Sequence, residues 1–329
     1  MDQLAAESHP QVASSPSLAV VFPGQGTEFI GMAEDYFQSS GLVRELFQMA
    51  SDRLNTDLRA LMATGPPNVL AEARIAQPVV FTMSVAIASL LINRGFNPSL
   101  VAGHSMGQFT AITVAGSIDF PAALNLIIER GQLMQKNNEA VNGGMMAVDG
   151  LPRHVVEAAI AENGTDVWIS NLNASSQNVL SGLKPALWQL KKELDQHGAL
   201  CRWLNVPGPA HSPLMSMASS GLAPRITATT FRDPTIPLLA STSAASIHTA
   251  AAIRAELNGH MLSPVNWAKC VATIVERGCD VMVEAGPGRT LKGLALRNQS
   301  PIRCLTTSTV EDFDATCRVV GETIGCASR

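Results

Sequence analysis

The sequence predicts an α/β fold in two parts, a larger domain interrupted by a smaller one. Three observations carry this. Short apolar runs alternate with longer segments of helical spacing along most of the 329 residues. From Asn142-Gly143-Gly144 to about Asn205 the order becomes strand, helix, strand, strand, helix, strand. Two β-α-β halves of about 30 residues each are the pattern of a ferredoxin-like unit. That unit starts and ends inside the chain, so the flanking pieces belong to one α/β domain that it interrupts.

The larger domain opens with Leu18–Phe22 (LAVVF), an apolar strand stopped by Pro23-Gly24-Gln25-Gly26. Thr27–Phe37 and Leu42–Leu54 carry apolar residues at helical spacing. Asp57–Ala63 is a shorter helical piece, closed by Thr64-Gly65-Pro66-Pro67. Ala76–Arg94 reads as a long buried helix stopped by Gly95. Its apolar run from Pro78 to Ile92 is broken by Thr82, Ser84 and Ser89, too short and too polar for a membrane span. Leu100–Ala102 is a strand, Gln108–Ala115 a helix ended by Gly116, and Phe120–Val141 a helix again.

In the smaller unit the strands are Met145–Val148, Val167–Leu172, Gln177–Ser181 and Leu200–Leu204, with helices Arg153–Glu162 and Pro185–Gln196. After Pro207-Gly208-Pro209 a helix runs from about Leu214, followed by a strand at Ile236–Ala240 and a helix at Ala250–Leu262. Ser263–Trp267 turns into a helix ending near Arg277. Val281–Glu284 is a buried strand closed by Ala285-Gly286-Pro287-Gly288. Thr290–Arg297 is a short helix, Ile302–Leu305 a last strand, and the remainder one helix. The expected division is therefore 18–141 with 207–329 for the large domain and 142–206 for the small one. Residues 1–17 are polar and small, with neither the basic start nor the apolar core of a signal peptide, and read as a disordered extension.

Hydrophobic residues make up 46% and charged residues 15% of the chain, ample for a core. A net charge of −4 and an aromatic content of 5% leave little for phosphate contacts or base stacking, which argues against nucleic acid as the main partner. The six cysteines (Cys201, Cys270, Cys279, Cys304, Cys317 and Cys326) form no C-x-x-C pair and no His/Cys ligand spacing. No metal site is expected, and scattered thiols fit a reducing cytoplasm.

The chemistry centres on Gly103-His104-Ser105-Met106-Gly107, which lies between an apolar strand and a helix. This is the G-x-S-x-G nucleophile elbow. A serine hydroxyl is a weak nucleophile and must be exposed, aimed and placed beside a base. The tight turn aims it, and the helix behind it offers free N–H groups where an oxyanion would form. Ser105 is the candidate nucleophile. The Met106 N–H, on the residue after it, is one expected oxyanion donor. Five residues with three fixed also occur in ordinary glycine turns; the strand-to-helix context is what points to chemistry.

Six motifs occur in order: Phe22-Pro23-Gly24-Gln25-Gly26, Gly103–Gln108, Arg130-Gly131-Gln132-Leu133-Met134-Gln135, His211-Ser212-Pro213-Leu214-Met215, Pro264-Val265-Asn266-Trp267 and Glu284-Ala285-Gly286-Pro287-Gly288. With them the chain resembles the malonyl-CoA:acyl carrier protein transacylases of fatty acid and polyketide synthesis, over about residues 18 to 310. The resemblance implies an α/β-hydrolase-like core with a ferredoxin-like insertion. It singles out His211, among seven histidines, as the general base. It implies Gln25 and Met106 as oxyanion-hole residues through their backbone N–H groups. It places Arg130 facing the serine, forked onto the free carboxylate of a malonyl group. His104 would line the pocket and Asn173 would lie near the pantetheine arm. It implies no cofactor; the partners are malonyl-CoA, or a related dicarboxylic acyl-CoA, and a holo acyl carrier protein.

A thiolate leaves readily, so a Ser–His dyad suffices, and no acidic residue is marked as a third member. The resemblance implies that a main-chain carbonyl orients the base, at His260, where a typical member has Gln. Ala210 and Gln108 also depart from common residues, and the acyl α-substituent stays open. Gly286-Pro287-Gly288 lacks the P-loop Lys and Ser/Thr spacing and reads as a strand-to-helix turn. Arg289, Lys292, Arg297, Lys191, Lys192 and Arg202 read as solvated surface, with a patch for an acidic carrier as the alternative. Two other functions are weighed. One is a hydrolase clearing acyl groups from carrier proteins, which would not need Arg130. The other is a silent docking module, which would not need Ser105 and His211.

Overall fold

A computed structural model describes residues 17–163 and 166–324. The expected disordered extension lies outside the described residues except for Ser17, and so does Cys326. Among the described residues ten strands form two sheets: β1 (Leu18–Phe22), β2 (Leu100–Gly103), β3 (Gly143–Asp149), β4 (Val167–Ala174), β5 (Gln177–Leu183), β6 (Leu200–Trp203), β7 (Leu238–Leu239), β8 (Ser246–Ile247), β9 (Val281–Glu284) and β10 (Arg303–Thr306).

The larger sheet runs β10-β9-β1-β2-β7-β8 and is parallel except for the edge strand β8. Alternate residues of β1 enter different cores: Leu18, Val20 and Phe22 face one, Ala19 and Val21 the other. Both faces are covered, so these strands are continuous apolar runs rather than alternating ones. The helix Ala73–Asn93 is long and apolar enough to cross a membrane, yet 83% of its most apolar window is buried inside the protein. It is a core helix, as its serines and threonines predict.

The smaller sheet is antiparallel in the order β4-β5-β3-β6. In chain order that is 2-3-1-4, the ferredoxin-like arrangement. Its core joins Met146, Val148 and Leu180 to Leu187, Leu190 and Leu194 of the helix Lys184–Gln196. The α/β class read from the sequence is therefore the class observed.

Several elements differ from expectation, among them the helix expected at Ala250–Leu262, which ends at Gly259. The segment after β1 is turns, and its helix is only Glu34–Ser39, because Gly31 (φ 87°) and Ala33 (φ 64°) adopt left-handed backbone. The long helix starts at Ala73, three residues early, and a short helix Pro67–Leu70 precedes it with proline at its first position. The strand expected at Ile236–Ala240 shrinks to two residues and hairpins into β8.

Candidate active site

The elbow is built by backbone contact. β1 and β2 pair in register up to Phe22 and Gly103, and the His104 N–H then donates to the Phe22 carbonyl at 2.9 Å. A Cβ on Gly103 would lie 2.0 Å from the Gly107 carbonyl carbon, and one on Gly107 would lie 2.2 Å from the Phe22 carbonyl oxygen. Neither backbone neighbour can swing aside, so both positions require glycine. Between them Ser105 is held at φ 51°, a strain of about 1–3 kcal/mol maintained by the surrounding fold.

Ser105 Oγ stands 2.6 Å from His211 Nε2. His211 also has left-handed backbone, φ 58°. Its Nδ1 lies 2.9 Å from the His260 carbonyl and 3.0 Å from the Ser263 carbonyl. Both oxygens only accept, so Nδ1 carries the proton and Nε2 presents a lone pair to the serine hydroxyl. Burial, then the charges of Arg130 and His104, push the imidazole down to about 3, so the resting base is neutral.

Gln25 follows Gly24, whose missing Cβ would sit 3.3 Å from the Ser105 Cβ. The Gln25 loop therefore runs against the elbow. Among the described residues, the N–H groups of Gln25 and Met106 donate to no protein acceptor.

Arg130 is 1% exposed. Its Nη1 donates to Gln77 Oε1 at 2.6 Å, its guanidinium lies 5.6 Å from the centre of the Phe109 ring, and its Nε has no partner. Burial pushes its pKa down to about 10. No carboxylate pairs with it among the described residues. His104 Nε2 is 3.0 Å from Asn173 Oδ1, and its ring packs edge-on to Trp267.

All seven residues singled out from the sequence (Gln25, His104, Ser105, Met106, Arg130, Asn173 and His211) line one cavity of about 760 Å³, walled by the smaller sheet and by the residues that follow β1 and β2. A model of the acyl transferase domain matches residues 19–303. The chain belongs to the acyl transferase domain family. Within that family it is 35% identical over 290 residues to the malonyl CoA-acyl carrier protein transacylase of Salmonella typhimurium, covering 85% of this chain and 92% of that one. It is 29% identical over 310 residues to the protein so named in Bacillus subtilis strain 168, covering 93% and 98%. The structure of the malonyl CoA-acyl carrier protein transacylase from Coxiella burnetii superposes with a TM-score of 0.89 at 32% identity, covering 93% and 98%. A malonyl-transacylase solved in complex with its type II polyketide synthase acyl-carrier protein gives 0.88 at 33%, covering 92% and 99%.

One member of this acyl transferase site is missing from the sequence reading. Gln77 is fully buried in the helix Ala73–Asn93. Its Oε1 takes the Arg130 N–H, and its Nε2 donates to Gln25 Oε1 at 3.1 Å, so it bridges the cation and the Gln25 loop. A lone glutamine inside an apolar helix was the available signal. Gln108 has a structural contact instead: its Nε2 donates to the Leu239 carbonyl. Ala285–Gly288 is the expected turn, tied down by Glu284, whose carboxylate accepts the Leu291 and Lys292 N–H groups. Of the basic residues, Arg202, Arg289 and Arg297 line the cavity, while Lys191 pairs with Asp195 elsewhere.

The three site histidines, His104, His211 and His260, are all depressed, chiefly by burial. An unfolded chain would protonate them below about pH 6.5, so stability is lost as pH falls from there towards their folded values. A group protonated only in the unfolded state contributes at most about 1.4 kcal/mol per pH unit. Glu284, raised to about 7 by burial, acts oppositely between its unfolded value and 7. With Glu284 opposing the three imidazoles, the net expectation is that stability is lost as pH falls from 6 to 5. Urea melts between pH 6 and 5 measure it; a flat stability there would contradict the buried neutral state.

Proposed function

We propose that this chain is a malonyl-CoA:acyl carrier protein S-malonyltransferase working by a ping-pong mechanism through an acyl-serine. His211 Nε2 takes the Ser105 proton as Oγ attacks the thioester carbonyl. The oxyanion forms against the Gln25 and Met106 N–H groups. The two carbonyls on Nδ1–H stabilise the imidazolium, which then protonates the departing CoA sulfur as the C–S bond breaks. The malonyl ester on Ser105 waits for the phosphopantetheine thiol of a carrier protein. That thiol gives its proton to His211 and attacks, and the serine oxygen leaves with the proton. Such a site belongs to cytoplasmic fatty acid or polyketide synthesis, with malonyl or an α-substituted malonyl as the group moved. It needs no metal and no cofactor. Residues 142–206 act as the small subdomain that closes one side of the cleft, with His104 and Asn173 toward the pantetheine arm.

The observation that carries this reading is a buried guanidinium without a carboxylate, opening on the same cavity as the serine and the imidazole. A planar fork of that kind takes a carboxylate with two parallel charge-assisted hydrogen bonds. Incubation with labelled malonyl-CoA, trapping by mass spectrometry and addition of holo carrier protein tests it. Label on Ser105 that moves to the carrier is expected. Label lost as free malonate would make the protein a hydrolase, and no Ser105 adduct would make it a docking module.

Gln77→Glu offers a sharper check. It would set a carboxylate at the 2.6 Å contact to Arg130 and satisfy the guanidinium from within. KM for malonyl-CoA should rise by about tenfold or more, since losing about 1.4 kcal/mol of differential binding is a factor of ten. Steady-state kinetics that leave KM unchanged would argue that the carboxylate binds elsewhere.

A further inference from the structure

The reading of Ser105 and His211 as nucleophile and base leaves one buried imidazole without a task. His260 is fully buried, and its ring stands edge-to-face with the His211 ring at 5.3 Å (81°). It is also edge-to-face with Phe109, the ring under Arg130, at 6.1 Å. Its Nε2 is 3.0 Å from Ser241 Oγ, while its Nδ1 has no partner. Ser241 Oγ is in turn 3.3 Å from Glu256 Oε1, and that carboxylate also accepts the Thr242 N–H and hydroxyl.

Proton counting orders this chain. A carboxylate oxygen only accepts, so Ser241 gives its single hydrogen to Glu256. Ser241 Oγ then accepts, and His260 must donate from Nε2–H. In this tautomer every proton has a partner and only the bare Nδ1 is left over. The opposite tautomer would bury an unpaired N–H, which costs more than an under-used acceptor.

The chain ends where it affects catalysis. The two carbonyls that hold His211 Nδ1–H belong to His260 and Ser263, in the turn after the helix Ala250–Gly259. Among the described residues no carboxylate orients the base, so the placement of those two carbonyls sets its tautomer and aim. The His260 side chain, through Ser241, ties this turn to the core alongside the bonds from the Leu262 and Ser263 N–H groups to the Gly259 carbonyl. We propose that His260, held as the Nε2–H tautomer by Ser241 and Glu256, is a positioning residue: its ring packs on the base while its anchored turn holds the base's proton. It acts through His211 and touches no reacting atom.

The test should not depend on the malonyl assignment. A fluorophosphonate probe reads Ser105 nucleophilicity with no acyl preference, and mass spectrometry counts the adduct. His260→Ala and Ser241→Ala should slow labelling by about tenfold or more, part of the about 10²–10⁴-fold a positioned base contributes. The acid limb of the labelling profile should move up towards the ordinary imidazole value, because the base loses a dry wall; Arg130 and His104, which also face it, stay in place. His260→Gln keeps an N–H for Ser241 and should restore the rate to within about threefold of wild type, whereas a purely space-filling role would not make rescue track the hydrogen bond. ¹⁵N NMR of the ring should show Nε2 protonated. Labelling rates in folded Ser241→Ala and His260→Ala equal to wild type, or an Nδ1–H tautomer, would overturn the proposal. Wild-type protein that takes no probe at Ser105 would instead overturn the nucleophile and base reading beneath it.

Discussion

His211→Ala should lower the rate of Ser105 acylation by about 10²–10⁴-fold, the range a positioned general base contributes. The hydroxyl at 2.6 Å has no other base in reach that the geometry supports: His104 Nε2 is engaged with Asn173, and Arg130 is a cation. Both halves of a ping-pong cycle use the same imidazole, so transfer to the carrier thiol should fall with acylation. KM for the acyl-CoA should change little, because the ring binds the transition state more than the thioester. His211→Gln is the useful second variant, since it fills space and keeps the loop at Ala210, whose carbonyl accepts the Ser181 hydroxyl. Single-turnover mass spectrometry of the malonyl-serine measures the rate directly. A variant that acylates within about tenfold of wild type would mean that Ser105 is activated by something other than this dyad.

The sequence exposed the site unevenly, and the reasons are physical. Ser105 and Met106 were legible because sterics tie them to two glycines at fixed spacing, and the backbone clashes at Gly103 and Gly107 show how rigid that requirement is. The sheet was legible because strands covered on both faces must be continuously apolar. His211, Gln25 and Arg130 lie on separate elements, and nothing in their local spacing brings them together; they came from the resemblance. Gln77 stayed hidden because its work is long-range, to Arg130 and Gln25, 53 and 52 residues away. The turn after β1 is not legible in the sequence, because Thr27–Phe37 carries a helical pattern that two left-handed residues, Gly31 and Ala33, interrupt. Spacing reports which face is apolar, not where the backbone changes hand.

Arg130→Ala should remove the preference for a dicarboxylic acyl group. In the wild-type protein the guanidinium is 1% exposed and, among the described residues, has one neutral amide partner and no carboxylate. Holding its pKa at about 10 in place of 12.5 costs the fold about 3 kcal/mol. In the proposed role, a malonyl carboxylate would offset that cost with two charge-assisted hydrogen bonds of about 1.5–3 kcal/mol each. An acetyl group would not, and would leave the cation buried without a counter-charge. Removing the side chain should therefore lower kcat/KM for malonyl-CoA by about 10²–10⁴-fold, about 3–6 kcal/mol at a factor of ten per 1.4. Acetyl-CoA turnover should hold or rise, since the thioester no longer enters beside an unpaired charge. Arg130→Lys should fall between, because an ammonium keeps the charge but loses the fork. The ratio of malonyl to acetyl turnover is the decisive number. If both rates fall together, Arg130 supports the site's shape rather than its choice of acyl group, and the carboxylate must be recognised by another group in the cavity.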